Sequence, residues 1–252
     1  MSDENKLTRL NKYLSEHGFC SRREADRLIE QGRIRVNGEL PALGTKVSDV
    51  DEITINGKLL NARPETVYIA FNKPIGITCT TDPNKKDNIV DFIKFPTRIF
   101  HIGRLDKPSE GLIFLTNDGD IVNKILRAGN NHEKEYIVTI DQPVTDEFVS
   151  RMSNGINILD TVTQNCFVEK ISQYVFRIIL KQGLNRQIRR MCEALDCEVT
   201  KLKRVRIMNV TLDGIGVGEW RYLTKDEMEE INRMVATSSK TEEASFFEGD
   251  EE

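Results

Sequence analysis

Two stretches of this 252-residue chain gather side chains that could do chemistry. In "GRLDKPSEGLIFLTNDGD", residues 103–120, one carboxylate, Asp106, follows Arg104 by two positions and precedes the turn-like "KPSEG". An Asp beside Pro and Gly most often shapes a surface loop, so this stretch alone decides nothing. In "NRQIRRMCEAL", residues 185–195, helical spacing places Ile188, Met191, Cys192 and Leu195 on one face and Arg186, Arg189, Arg190 and Glu193 on the other. Asn185 can cap that helix, and Gly183 permits a tight turn before it. Three arginines at the start of a helix oppose its dipole and one another, an arrangement that calls for anions nearby.

Composition narrows the classes. The five cysteines, Cys20, Cys79, Cys166, Cys192 and Cys197, are scattered without a CxxC pair, and three histidines are too few to complete metal sets. Reduced thiols fit this usage better than a zinc site or a disulfide framework. No P-loop and no GxGxxG appears, so no nucleotide cofactor is indicated. His101 and His132 have no partner pattern and receive no chemistry. No run approaches the roughly 20 apolar residues that span a bilayer, and the polar start carries no secretory core.

The net charge of −4 argues against a nucleic-acid partner until its distribution is considered. The last twelve residues hold six acids and no base, which leaves the remainder at +2. Lys and Arg outnumber Asp and Glu eight to four over residues 6–38 and eight to three over residues 181–206. The acid sits at the tail and the base in two distant stretches.

These residues need elements to position them. At the front, Leu7, Leu10 and Leu14 recur at helical spacing and Gly18 ends the helix. Ser21 with Glu24 forms a capping box for a second helix. Its Ala25, Leu28 and Ile29 share a face that Arg22, Arg23 and Arg27 avoid. "RIRVNG" and "DEITING" read as strands with Asn-Gly turns. From residue 66 onward, "TVYIAFNKP", "FHIGRLD", "GLIFLTND", "KEYIVTI", "QNCFVEKI" and "YVFRIILKQG" read as strands. "DGDIVNKILRAG", "VTDEFVSRMSNG", "NRQIRRMCEAL" and "TKDEMEEINRMVA" read as helices. Strands dominate without regular alternation, which predicts an α+β fold with a mainly antiparallel or mixed sheet.

"RLNKYLSEHGFCSRREADRLIEQGRIRVNG" resembles the S4 RNA-binding domain. That resemblance implies that Arg9, Lys12, Arg22, Arg23 and Arg27 face RNA phosphates, contacts that position a protein but carry little sequence information. Behind it, "NKPIGI", the "GRLD" stretch, "KEYIVTI" and "GLNRQIRRM" stand in the order found in the pseudouridine synthases of the RsuA/RluB/RluE/RluF group, which the chain resembles. "DNIVDF", "VNKILRAGNNHEKEY" and "QGLNRQIRRMCE" look most like the F-type branch. Leu184 stands where the wider group has an arginine, a departure that leaves the chemistry intact.

The resemblance implies an S4 domain over residues 1–60, a linker at 61–66 and a catalytic domain at 67–236, while low hydrophobicity and concentrated acid predict a disordered tail at 237–252. The resemblance also implies an isomerase of ribosomal RNA, of the large subunit first, with the small subunit or tRNA as alternative targets. A cytoplasmic monomer without metal or cofactor would fit, and a non-catalytic S4 adaptor is the rival. Uridine would lose its N1–C1′ bond, turn while held, and bond C5 to C1′. Asp106 would be the indispensable carboxylate, attacking C1′, attacking the base, or removing the 2′ proton. In a closed site burial would favour a neutral acid, so a cation is needed, and the motif makes Arg189 that partner. Tyr136 would stack on the uracil and take the C5 proton. The base must leave its stack, with Arg104 filling the vacated space and Arg186 and Gln187 contacting phosphate or base at the pocket edge.

Overall fold

The structure, a computed structural model, describes residues 7–126 and 132–236. The acidic tail expected to be disordered lies outside the described residues, as does the end of the helix pattern at 127–129. The chain forms two compact units. The first takes in the described residues up to Val67, with Phe95–Ile99 and Asn117–Gly119; the second holds the rest.

The first unit contains β1 (Thr8–Arg9), α1 (Leu10–Glu16), α2 (Arg22–Glu30), β2 (Ile34–Val36), β3 (Lys46–Val47), β4 (Ile53–Ile55) and β5 (Lys58–Leu59). Ser21 caps α2 as its spacing predicts, its side chain accepting from Glu24 N–H at 3.1 Å, a contact worth about 1 kcal/mol. Asn56 and Gly57, both at positive φ, close the β4–β5 hairpin. Leu10, Leu14, Ala25, Leu28, Ile29, Ile34 and Ile53 make the core. Leu7 departs from the expected helix: it precedes the strand pair β1–β3 and is exposed. The helix starts only at Leu10, because Thr8 and Arg9 are drawn into extended pairing.

The second unit contains β6 (Tyr68–Lys73), α3 (Ile89–Ile93), β7 (Phe100–Ile102), β8 (Glu110–Thr116), α4 (Gly119–Leu126), β9 (Lys134–Ile140), α5 (Asp146–Ser153), β10 (Asn157–Ile158), β11 (Thr161–Val162), β12 (Phe167–Ser172), β13 (Val175–Leu180), α6 (Gln187–Glu193), β14 (Val199–Ile207), β15 (Val210–Thr211), β16 (Trp220–Tyr222) and α7 (Lys225–Ala236). Seven strands run β12-β13-β9-β14-β8-β6-β16, with β15 on β14 and β7 on β8. Every pairing in this sheet is antiparallel except β14 with β8, which agrees with the expected mainly antiparallel mixed sheet. Ile121 and Ile125 of α4 and Ile231 and Val235 of α7 pack with Leu112, Phe114 and Ile207 of the sheet. Phe148 of α5 meets Phe176 of β13 edge-on, with ring centroids 5.2 Å apart.

The longest strand, β14, is absent from the elements that sequence pattern predicts. It is central, and its basic residues disguise it. Its parallel contact with β8 depends on Gly111, at φ +112, where a Cβ would lie 2.2 Å from the Arg204 carbonyl oxygen. Only glycine lets the two backbones approach this closely.

Candidate active site

Asp106 is presented by a tight turn between β7 and β8. Leu105 is buried, and its N–H donates to the Cys79 sulfur at 3.4 Å. The "NKPIGI" loop is tied to the same turn, Gly76 N–H donating to the Lys107 carbonyl at 2.8 Å. Ser109 N–H closes the turn on the Asp106 carbonyl at 2.9 Å. Leu105 thus anchors the chain in the core while the Asp106 side chain, 35% exposed, enters a cleft. What local pattern makes a surface loop is the mouth of a pocket.

Two guanidinium groups meet this carboxylate. Arg186 Nη1 and Arg189 Nε each lie 3.6 Å from Asp106 Oδ2. Arg189 is only 9% exposed, contrary to the expected solvent face with Arg190. The reason lies at the helix start. Asn185 does not cap α6; the N-cap is Arg186, in the left-handed region at φ 48, ψ 34 with no side-chain cap. That kink, at Arg186 and not at Gly183, delays the helix and turns Arg189 inward. Its Nη1 donates to the Val199 carbonyl and its Nη2 to Ser109 Oγ, both at 3.1 Å. Burial lowers the pKa of Arg189, and Asp106 opposes that shift. Arg190 instead bonds Asn185.

Tyr136 arrives from β9, where side chains alternate. Glu135 points to the opposite face and pairs with Arg206 at 2.9 Å. Tyr136 stands directly opposite Arg204 on β14 and Ile178 on β13. The Arg204 guanidinium lies 6.0 Å from its ring centroid, at the outer limit of a cation–π contact. Arg204 is buried, donating Nε to the Leu112 carbonyl at 2.6 Å and Nη1 to the Arg104 carbonyl at 3.4 Å. It thereby joins β14, β8 and the segment of chain leading to Asp106.

The cleft, about 470 Å³ with its open mouth, is lined by Arg104, Asp106, Ser109, Tyr136, Arg186 and Arg189, with Leu180, Leu184, Ile188 and Leu202 among its apolar wall. A flat ring, aliphatic groups and an acid on one lining suit a planar heterocycle. Guanidinium groups beside them suit its phosphates.

Asp106, Tyr136, Arg189, Arg104 and Arg186, drawn from separate stretches, therefore share one cleft. Gln187 lines it too, but its side chain is buried and engaged locally. Its Oε1 accepts from Leu184 N–H at 3.0 Å and its Nε2 reaches the Met191 sulfur, so it shapes the loop. Arg9, Arg22, Arg23 and Arg27 are exposed on the first unit, while Lys12 is half-buried and lies 3.4 Å from Glu16. Three participants are invisible to sequence pattern as members of the site. The Ser109 hydroxyl meets Arg189 across 80 residues, and Arg204 meets the Leu112 carbonyl and the Tyr136 ring only through the fold. Lys73, fully buried, spends its ammonium on the Pro74 and Ile77 carbonyls; burial lowers its pKa, against the charges of Cys79 and Asp106. A charged residue at the end of an apolar strand was the available signal for Lys73; Arg204, among the other basic residues of β14, offered none.

Comparison with known proteins identifies the family. The pattern of the RNA pseudouridylate synthase family matches residues 67–194, and that of the S4 domain matches residues 8–53. The chain is 59% identical over 234 residues to the dual-specificity RNA pseudouridine synthase RluF of Salmonella typhi, covering 92% of this chain and 81% of that one. It is 34% identical over 237 residues to the ribosomal large subunit pseudouridine synthase B of Bacillus subtilis, covering 90% and 97%. A crystal structure of a pseudouridylate synthase superimposes with a TM-score of 0.66 at 31% identity, over 88% of this chain and 99% of that one. With an S4 domain in front, a catalytic pattern over half its length and RluF-type relatives along nearly all of it, the chain belongs to the pseudouridine synthases, isomerases of uridine in RNA.

Proposed function

We propose that this synthase isomerises a specific uridine of 23S ribosomal RNA, with Asp106 as the catalytic carboxylate. The observation that carries the assignment is the Asp106 carboxylate in a cleft, 3.6 Å from both Arg186 and Arg189, with the Tyr136 ring on the same lining. In the reaction the N1–C1′ bond breaks, C5 bonds to C1′, the C5 proton leaves and N1 gains one. Positive charge develops at C1′ as the glycosidic bond opens, and a carboxylate there stabilises or captures it. Arg189 orients that carboxylate from a buried position. Tyr136 holds the uracil face during its turn and stands on the side from which the C5 proton departs. Arg104 enters the space left by the extruded base, and Arg186 takes a flanking phosphate.

The large-subunit target is supported by the name of the Bacillus relative, and the dual-specificity name of the RluF relatives supports a second RNA target, for which tRNA is our candidate. Residues 1–60 serve as the RNA-holding arm, joined by 61–66 to a catalytic domain at 67–236, with Arg9, Lys12, Arg22, Arg23 and Arg27 toward phosphates. The enzyme works as a cytoplasmic monomer; among the described residues no helix is long and apolar enough to cross a membrane.

The test is Asp106→Asn, nearly isosteric and equally suited to the turn. It should fold, bind rRNA and release no hydrogen isotope from C5-labelled uridine, because a neutral amide neither stabilises a cationic sugar nor attacks it. Pseudouridine mapping in rRNA and tRNA from cells with and without the gene identifies the targets. Wild-type isotope release by folded Asp106→Asn removes the assignment.

A further inference from the structure

We infer that Ser109 is a positioning residue for the isomerisation, setting the orientation of Arg189 relative to Asp106. The inference rests on the reading of Asp106 and Arg189 as the reacting pair.

Ser109 is 1% exposed and is among the residues lining the cleft. Its two polar groups do different work. The backbone N–H binds the Asp106 carbonyl at 2.9 Å and fixes the turn that presents the acid. The hydroxyl oxygen accepts from Arg189 Nη2 at 3.1 Å and holds one edge of the counter-cation. One residue therefore registers both members of the pair against each other.

The guanidinium geometry explains why a hydroxyl is needed at this point. A guanidinium is a rigid plane with donors in fixed directions. Val199 O holds Nη1 and Ser109 Oγ holds Nη2, and two fixed points define the direction of the remaining edge. That edge carries Nε, which has no hydrogen-bond partner among the described residues and stands 3.6 Å from Asp106 Oδ2. Without Ser109 Oγ, one fixed point remains, and the plane can pivot about the Val199 contact. The Nε donor then swings away from the carboxylate, and Nη2 is left buried without an acceptor. Arg186 cannot compensate: its side chain is 41% exposed, so solvent screens it, and among the described residues no similar clamp holds it.

A pivoting cation misaligns the carboxylate in the transition state, with RNA contacts elsewhere unchanged. Ser109→Ala should therefore fold and keep its RNA KM within about twofold, while kcat falls about tenfold to a hundredfold. Ser109→Thr, which retains the hydroxyl, should recover most of the lost kcat. Ser109→Cys, similar in size with a weaker acceptor, should fall between and covers the case in which the alanine variant does not fold. Asp106→Asn is assayed alongside. If it is inactive while Ser109→Ala and Ser109→Cys turn over at the wild-type rate, the clamp is wrong and the site stands. If Asp106→Asn is itself active, the site reading fails first. A loss confined to KM, or a threonine variant as slow as alanine, also overturns the role of the hydroxyl.

Discussion

Arg189→Lys separates charge from geometry at the centre of the site. Arg189 makes two hydrogen bonds at 3.1 Å and approaches Asp106 to 3.6 Å. Unit charges at that distance attract by about 5 kcal/mol at an effective dielectric constant near 20 and by about 1 kcal/mol in water. Asp106 is one-third exposed, so solvent screening brings the attraction to about 2 kcal/mol. Lysine keeps the charge, but its single ammonium cannot reach Val199 O, Ser109 Oγ and Asp106 together. One buried acceptor then goes unserved, at about 1–3 kcal/mol of stability. If the ammonium settles on the buried acceptors, Asp106 loses most of its attraction, and kcat should fall about 30-fold. The assay pairs urea unfolding with isotope release from C5-labelled rRNA. A folded lysine variant within about threefold of wild-type kcat refutes the reasoning, because the planar fork would then be dispensable.

Other parts of the molecule are open to test as well. Gly111→Ala should lower the thermal midpoint sharply or prevent folding, since its Cβ would meet the Arg204 carbonyl oxygen at 2.2 Å; an unchanged midpoint would show that β8 and β14 can separate freely. Burial, with Arg204 adding to it, pushes the Lys134 pKa down to about 8, so Lys134 should oppose folding fully below about pH 8 and progressively less up to its unfolded pKa near 10.4. Lys134→Met should thus be the more stable protein at about pH 7, by up to about 3 kcal/mol, with the difference vanishing above about pH 10.5; urea titrations at both pH values measure it, and an equal difference at both would contradict it. Replacing Arg22, Arg23 and Arg27 together by Gln should weaken rRNA binding and flatten the plot of log affinity against log salt by about 0.7–0.9 for each phosphate no longer neutralised. An unchanged slope would remove these side chains from the RNA-holding face.

Local rules suffice where the determinants are local. Ser21 and Glu24 are three residues apart, and the cap they promise forms. Asn56-Gly57 needs only two residues to set its left-handed turn. The strands "YIAFNK", "EGLIFLT" and "KEYIVTI" are visible from their apolar content and lie where it places them. β14 is invisible for the converse reason. "VTKLKRVRI" carries four basic residues, and nothing nearby says that Arg204 will be buried against the Leu112 and Arg104 carbonyls. The two errors on α6 share that origin. Amphipathic spacing groups Arg189 with Arg186 and Arg190, whereas a hydroxyl 80 residues earlier and a carbonyl on β14 draw it inside.

The same distinction explains what kind of site this is. Asp106, Tyr136 and Arg189 come from a turn, a strand and a helix, and local pattern identifies each as a residue type but not as a neighbour of the others. Their meeting depends on β14 lying between β9 and β8. On one side β14 sets Arg204 opposite Tyr136; on the other it runs parallel to β8 across Gly111, just beyond the Asp106 turn; at its start it offers Val199 O to Arg189. A strand with this many charges is costly to place at the centre of a sheet. Backbone carbonyls satisfy Nε and Nη1 of its buried arginine, Nη2 having no hydrogen-bond partner among the described residues, and the return is a shared ruler for three elements. The carboxylate does the chemistry, but the strand least legible in the sequence determines whether it meets its partners.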